Sequence, residues 1–303
     1  MITRILLLSL LPLAAVGAAK ADAAPAAKSE ASQPAFKSDR ISVAVRGSGP
    51  DVILIPGLSS SPDVWNSTVA AVPGYRYHLV QVAGFAGAPA GANADGPVVA
   101  EVAEEIARYI GETGLDRPAL VGHSLGGSLA MMVAARHPAA VSRLMVVDML
   151  PFMGAMFAPQ ATPESVAPVA AQIRAGIAGS DAAQRDAMTK ATIATMIRTE
   201  ELRADAVAHS MASDASVSGQ AMYDLITTDL RPELRNIAVP MEVLWVRAPN
   251  APVSEAQMEN FYKLSYANAP AAVLTRIPDS YHFIMFDAPE AFRRELSEFL
   301  QAK

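Results

Sequence analysis

The sequence predicts an α/β protein, with a mostly parallel, doubly wound sheet interrupted once by a long helical insertion. Three observations carry this. Continuous apolar runs such as Val52-Ile53-Leu54-Ile55 and Leu144-Met145-Val146-Val147 have the pattern of strands buried on both faces. Between such runs lie stretches with apolar residues at helical spacing, as at Val99, Val102, Ile106 and Ile110. Over 151–232 the alternation stops, and the composition is helical without a convincing strand.

The chain has 303 residues, 51% hydrophobic, 18% charged and no Cys, enough for one large domain or two small ones. Arg4 precedes an apolar run, Ile5 to Val16, too short to span a bilayer. Ala21-Asp22-Ala23 fits a cleavage site, with Val16-Gly17-Ala18 an earlier option, so 1–23 reads as a signal peptide. An uncleaved anchor is the competing reading. Without Cys there is neither a lipid-anchor motif nor a disulfide, and stability must come from the core. The expectation is an exported, periplasmic protein with no stable membrane anchor after cleavage.

Removing 1–23 takes away Arg4, Lys20 and Asp22 and moves the formal charge from −6 to −7. Such a surface gives no reason to expect nucleic acid or anionic membrane as partner.

Residues 24–40 are rich in Ala, Ser, Pro and Lys and read as a flexible leader. Ile41 to Val45 alternates as a strand does, and Gly47-Ser48-Gly49-Pro50 is turn chemistry. The strand at Val52 stops at Pro56-Gly57-Leu58, a short helix carrying Trp65 follows over 63–72, and His78 to Val82 is a further strand. A Gly/Ala/Pro-rich loop, 83–97, leads to a helix over 98–113. Next come a strand at 118–121, a helix at 128–136 stopped by Pro138, and a strand at 144–147 ending on Asp148. After the insertion the alternation resumes with a strand (239–246), helix (255–267), strand (272–277) and amphipathic helix (289–300). The core is therefore 41–150 with 233–303, and 151–232 is a helical cap. Met153, Met156, Met188, Met196, Met211 and Met222 are spread through it, either filling its interior or walling a site for an apolar substrate.

The chemistry concentrates at Gly122-His123-Ser124-Leu125-Gly126. An apolar run drives into it and a helical run leaves it, a strand–turn–helix elbow. The middle residue is then forced into strained backbone angles with its hydroxyl at the strand's C-terminal end. Ser124 is the candidate nucleophile. The Leu125 N–H, at the helix start, is placed to bind a developing oxyanion.

From Ile41 onward the chain resembles a capped α/β-hydrolase of the esterase, lipase and haloperoxidase-like kind. The resemblance rests on the elbow, the Pro56-Gly57-Leu58 loop with Trp65, and Tyr281-His282-Phe283 before the terminal helix. It implies chain order nucleophile, acid, histidine, with His282 as the base and the Leu58 N–H as second oxyanion donor. His123 belongs to the elbow but is expected to point elsewhere. His78, His137 and His209 have no evident partners, and no pair has metal-ligand spacing. Neither metal nor cofactor is expected. Gly84-Phe85-Ala86-Gly87 is not a dinucleotide fingerprint.

The acid departs from the family pattern. After the strand near Val246 the best-matching position is Asn250, which can orient a histidine but carries no charge to stabilise an imidazolium. Asp148, at the end of the strand following the nucleophile's helix, is the best replacement, ahead of Glu255 and Asp279. The resemblance implies a serine hydrolase that acts on an ester or related acyl bond, and the apolar cap suggests a small to medium hydrophobic acyl substrate. Its alternatives are a carbon–carbon hydrolase or haloperoxidase-like enzyme and a non-catalytic, hydrolase-derived binding protein.

Overall fold

The computed structural model describes residues 36–158, 160–247 and 251–302. The signal peptide expected at 1–23 and most of the leader lie outside them. Residues 36–40 do not behave as a leader. Phe36 packs edge-on against Tyr109 at 5.0 Å between ring centroids, and Arg40 Nη1 donates to Asn93 Oδ1.

Seven strands form one sheet: β1 (Ile41–Gly47), β2 (Asp51–Ile55), β3 (Arg76–Val82), β4 (Ala119–His123), β5 (Arg143–Val147), β6 (Met241–Trp245) and β7 (Ala272–Arg276). Their order is β1-β3-β2-β4-β5-β6-β7. Only β1 runs antiparallel, against β3, and the other pairings are parallel. The apolar runs are explained by their packing. β2 sends Ile53 and Ile55 into one core and Val52 and Leu54 into the other. β5 does the same with Leu144 and Val146 against Met145 and Val147. Alternation of polarity is absent because both faces are covered.

Helices α2 (Val99–Glu112) and α3 (Leu125–Arg136) cover one face, joined by Tyr262 of α8 (Glu255–Ser265) and by Tyr266 directly after it. α10 (Pro289–Gln301) covers the other through Phe292, Leu296 and Phe299. Trp65, in the 3-10 turn Pro62–Trp65, stacks on Phe292 at 6.0 Å, and both are fully buried. Burying side chains of this size contributes roughly 2–3 kcal/mol each. The expected helix over 63–72 is thus a 3-10 turn followed by the short α1 (Asn66–Ala71). α3 begins at Leu125, directly after the elbow, rather than at Ser128.

Between β5 and β6 lie α4 (Pro163–Gly179), α5 (Ala182–Met196), α6 (Arg203–Ala212) and α7 (Ala215–Thr227), with no strand among the described residues. α4 and α7 enclose a small core of their own with Phe152, Val166, Ala170 and Ile226. Asp224 on α7 accepts from the Val98 and Val99 N–H groups at the start of α2, a carboxylate at a helix N-terminus. The Asp214 N–H bonds the Gly84 carbonyl at 2.7 Å. The inserted helices are thereby fastened to the loop before α2.

Candidate active site

The elbow is built as its glycines require. Ser124 has φ 53, a left-handed conformation costly for a side chain with a Cβ. Its N–H donates to the Val147 carbonyl, tying the turn to β5. A Cβ on Gly122 would stand 2.1 Å from the Gly126 carbonyl oxygen, and one on Gly126 would stand 2.2 Å from that of Ile55. Close packing of three chain segments holds Ser124 in its strained pose.

Asp148 has a matching geometry. It follows β5 with φ 50, and its N–H donates to the Leu244 carbonyl. His282 lies in the loop between β7 and α9 (Ile284–Asp287). Its Nδ1 is 2.7 Å from Asp148 Oδ2. An ionised carboxylate only accepts, so the proton of the contact sits on Nδ1, and in the neutral ring the lone pair is then on Nε2. The other oxygen, Oδ1, accepts from the Val246 N–H at 3.1 Å and from the Tyr262 hydroxyl at 2.9 Å. Burial, and next the Asp148 charge, hold the Tyr262 phenol well above its ordinary pKa, so it remains a donor.

Ser124, His282 and Asp148 line one cavity of about 430 Å³, as do Leu58 and Gly57, the latter packed against Ser124. The Leu125 N–H is at the first position of α3, which has no partner within its own helix. Among the described residues the Leu58 N–H is not taken up by a loop carbonyl. Ser59 is also left-handed, φ 55, and its hydroxyl lies 2.8 Å from that of Ser218 on α7. The loop of Leu58 is thus fixed from the inserted helices. Among the described residues lining the cavity there is no Lys or Arg, and Met149, Met153, Met156, Met196, Met222 and Met258 dominate the wall.

The histidine loop is held from the same side. Asp287 accepts the Arg198 and Thr199 N–H groups beyond α5 and the Tyr281 N–H beside His282. The Phe283 N–H donates to the Met196 carbonyl. Neither Asp287 nor Tyr262 is singled out by sequence, since each acts through a contact between distant segments. A Met258, Phe261, Tyr262 spacing reads simply as the buried stripe of a helix.

His123 corrects an expectation. It does not point away from the site; its ring lies 4.6 Å from that of His282, and its Nε2 donates to the His282 carbonyl at 3.0 Å. Complete burial, and next the neighbouring His282, push its pKa well below 6.5, so it is neutral. His78 and His137 also have partners. The first bonds Asp51 and the Tyr109 hydroxyl, away from the cavity, and the second bonds Glu104 at the surface. The rival acids are not at His282. Glu255 pairs with Arg276, Asp279 offers its carbonyl to Arg198, and Asn250 lies outside the described residues. Among the described residues no cluster of His, Cys, Asp and Glu has the makings of a metal site.

A Gly-x-Ser-x-Gly elbow at the C-terminal edge of a doubly wound sheet, beneath inserted helices, is the arrangement of the α/β-hydrolase class. Residues 52–295 match the model of the alpha/beta hydrolase family, and the chain belongs to that family. It is 27% identical over 267 residues to the pimeloyl-[acyl-carrier protein] methyl ester esterase of Edwardsiella ictaluri, covering 84% of this chain and 94% of that one. The fold is shared with the esterase EaEST of Exiguobacterium antarcticum at TM-score 0.72 and 20% identity, covering 86% of this chain and 96% of that one. It is also shared with the enol-lactonase of Burkholderia xenovorans LB400 at TM-score 0.69 and 18% identity, with the same coverage.

Proposed function

We propose that the protein is an exported serine hydrolase that cleaves an ester or related acyl bond through an acyl-Ser124 intermediate. The observation that carries this is the 2.7 Å bond from His282 to Asp148 in a cavity that Ser124 also lines. Ser124 Oγ attacks the acyl carbon while its proton passes to His282 Nε2. The negative charge that develops on the carbonyl oxygen is taken by the Leu58 and Leu125 N–H groups. Asp148 stabilises the imidazolium, which then protonates the departing alkoxide. Water, deprotonated by His282, releases the acid and restores Ser124.

The cavity supports an uncharged, largely apolar substrate of small to medium size. Its volume falls within the usual range of roughly 300–1,000 Å³ for small-molecule sites. Among the described residues its lining offers no cation to a carboxylate or phosphate, and the carboxylate there, Asp148, already accepts three hydrogen bonds. The name of the relative from Edwardsiella ictaluri, a methyl ester esterase, supports ester chemistry. The proposal of a periplasmic location rests on the sequence of 1–23 alone, and fractionation of cells expressing the full chain tests it.

A fluorophosphonate probe tests the chemistry, because it phosphonylates only an activated serine. Peptide mapping is expected to place the adduct on Ser124, with labelling lost in Ser124→Ala. Absence of labelling in wild type that is folded by circular dichroism would overturn the proposal.

A further inference from the structure

The Asp148 carboxylate is held by more than its histidine. It sits on the strand after the nucleophile's helix, where the backbone offers it one donor, the Val246 N–H. A buried carboxylate with unsatisfied lone pairs is costly to keep ionised. The second donor to Oδ1 is the hydroxyl of Tyr262, which arrives from α8 and lines the same cavity. The Tyr262 ring is clamped between aromatic neighbours, stacked 5.2 Å from Trp245 and 6.4 Å from Tyr266. Its hydroxyl therefore has little freedom except toward Asp148. Tyr266 has other work, donating to the Met149 carbonyl at 2.6 Å.

Resting on the proposed roles of Ser124, His282 and Asp148, we infer that Tyr262 is a positioning residue for catalysis: its hydroxyl fixes the Asp148 carboxylate in the orientation that serves His282. Two fixed donors on Oδ1 leave Oδ2 as the oxygen that faces the imidazole. They also hold the carboxylate's rotation about its Cβ–Cγ bond when charge appears on His282. The phenol also draws electron density from the carboxylate through this hydrogen bond. The other titratable groups around this pair are few. Among the described residues they are His123 from β4, neutral and bonded to the His282 carbonyl, Tyr266 directly after α8, and Asp287, bonded to three backbone N–H groups.

The test is the pH profile of kcat/KM for a p-nitrophenyl ester, measured on wild type, Tyr262→Phe and Asp148→Asn. Phe keeps the stacked ring and removes only the donor. The expected result is a fall in kcat of roughly tenfold, the order of one lost charge-assisted hydrogen bond, with KM unchanged. The acid limb is expected to move to higher pH, because a carboxylate with one donor fewer holds the imidazolium proton more tightly. A purely structural tyrosine would lower thermal stability without moving that limb. Should Tyr262→Phe not fold, 3-fluorotyrosine placed at 262 serves instead. Its more acidic phenol donates more strongly, and the limb is expected to move to lower pH. An unmoved limb and a kcat within twofold of wild type, beside an inactive Asp148→Asn, would overturn the inference alone. Full activity in Asp148→Asn would overturn the proposed triad and the inference with it.

Discussion

Asp148 Oδ2 lies 2.7 Å from His282 Nδ1 across 134 residues of sequence. The contact depends on the parallel pairing of β5 with β6 and of β6 with β7, which brings the loop after β7 over the end of β5. Asp148 itself has a left-handed backbone, φ 50, and its carboxylate lines the cavity. The pair is as much a product of sheet order as of the two residues.

Asp287 joins the inserted helices to the histidine loop through three backbone N–H groups. Asp287→Asn replaces one carboxylate oxygen with an amide that cannot accept, so at least one N–H is left facing a donor. Each hydrogen bond to a charged acceptor is worth about 1.5–3 kcal/mol. Urea unfolding is expected to show a midpoint lower by that order, and kcat is expected to fall because the Tyr281 backbone beside His282 is released. An unchanged midpoint would show that the insertion is held by its other contacts.

Met222 on α7 lines the cavity and is unbranched and adaptable. Met222→Trp is expected to fill space used by a longer acyl chain. A loss of about 1.4 kcal/mol of apolar contact corresponds to roughly tenfold in affinity. KM for p-nitrophenyl octanoate is therefore expected to rise about tenfold, with p-nitrophenyl acetate changing by less than twofold. Equal changes for both esters would mean that the acyl chain lies elsewhere.

Glu242 on β6 supplies a pH dependence away from the site. Burial pushes its carboxyl from the usual 4.5 up to about 7, against the pull of the Thr275 hydroxyl, with Glu295 and Glu298 adding to the rise. The folded state thus holds a proton that the unfolded chain has released. Its contribution favours folding in full below about 4.5 and is lost as pH rises through about 7. Glu242→Gln keeps an acceptor for Thr275 and cannot ionise. Its Tm is expected to match wild type near pH 4.5 and exceed it at about pH 8. A constant difference at both pH values would contradict the assignment.

Much of the architecture is legible in the residues themselves, because buried parallel strands such as Val52–Ile55 have continuous apolar runs that alternate with helical stretches. Ser124 is legible because the elbow is a local pattern, although only Gly122 is required by a neighbour within a few residues and Gly126 by the Ile55 carbonyl of β2. His282 is legible from its place after the final strand. Asp148 is legible only as a strand end, since Asn250 occupies the position that the family resemblance points to. His123 misleads, because divergence of side chains at a tight turn says nothing about a loop arriving from β7 to cover one of them. Tyr262 and Asp287 leave no trace in sequence. One reads as a core aromatic of an amphipathic helix and the other as an ordinary acidic residue, and only the approach of distant segments gives them their partners.

The most direct test of the account is the kcat/KM of Asp148→Asn on a p-nitrophenyl ester, with the fold checked by circular dichroism. Asparagine keeps the size of the side chain and can still bond His282, but it provides no charge for the imidazolium. The predicted result is a fall of about 10⁴-fold, the cost of removing the carboxylate behind a catalytic histidine. A folded Asp148→Asn enzyme within threefold of wild type would contradict the account and place the charge behind His282 elsewhere.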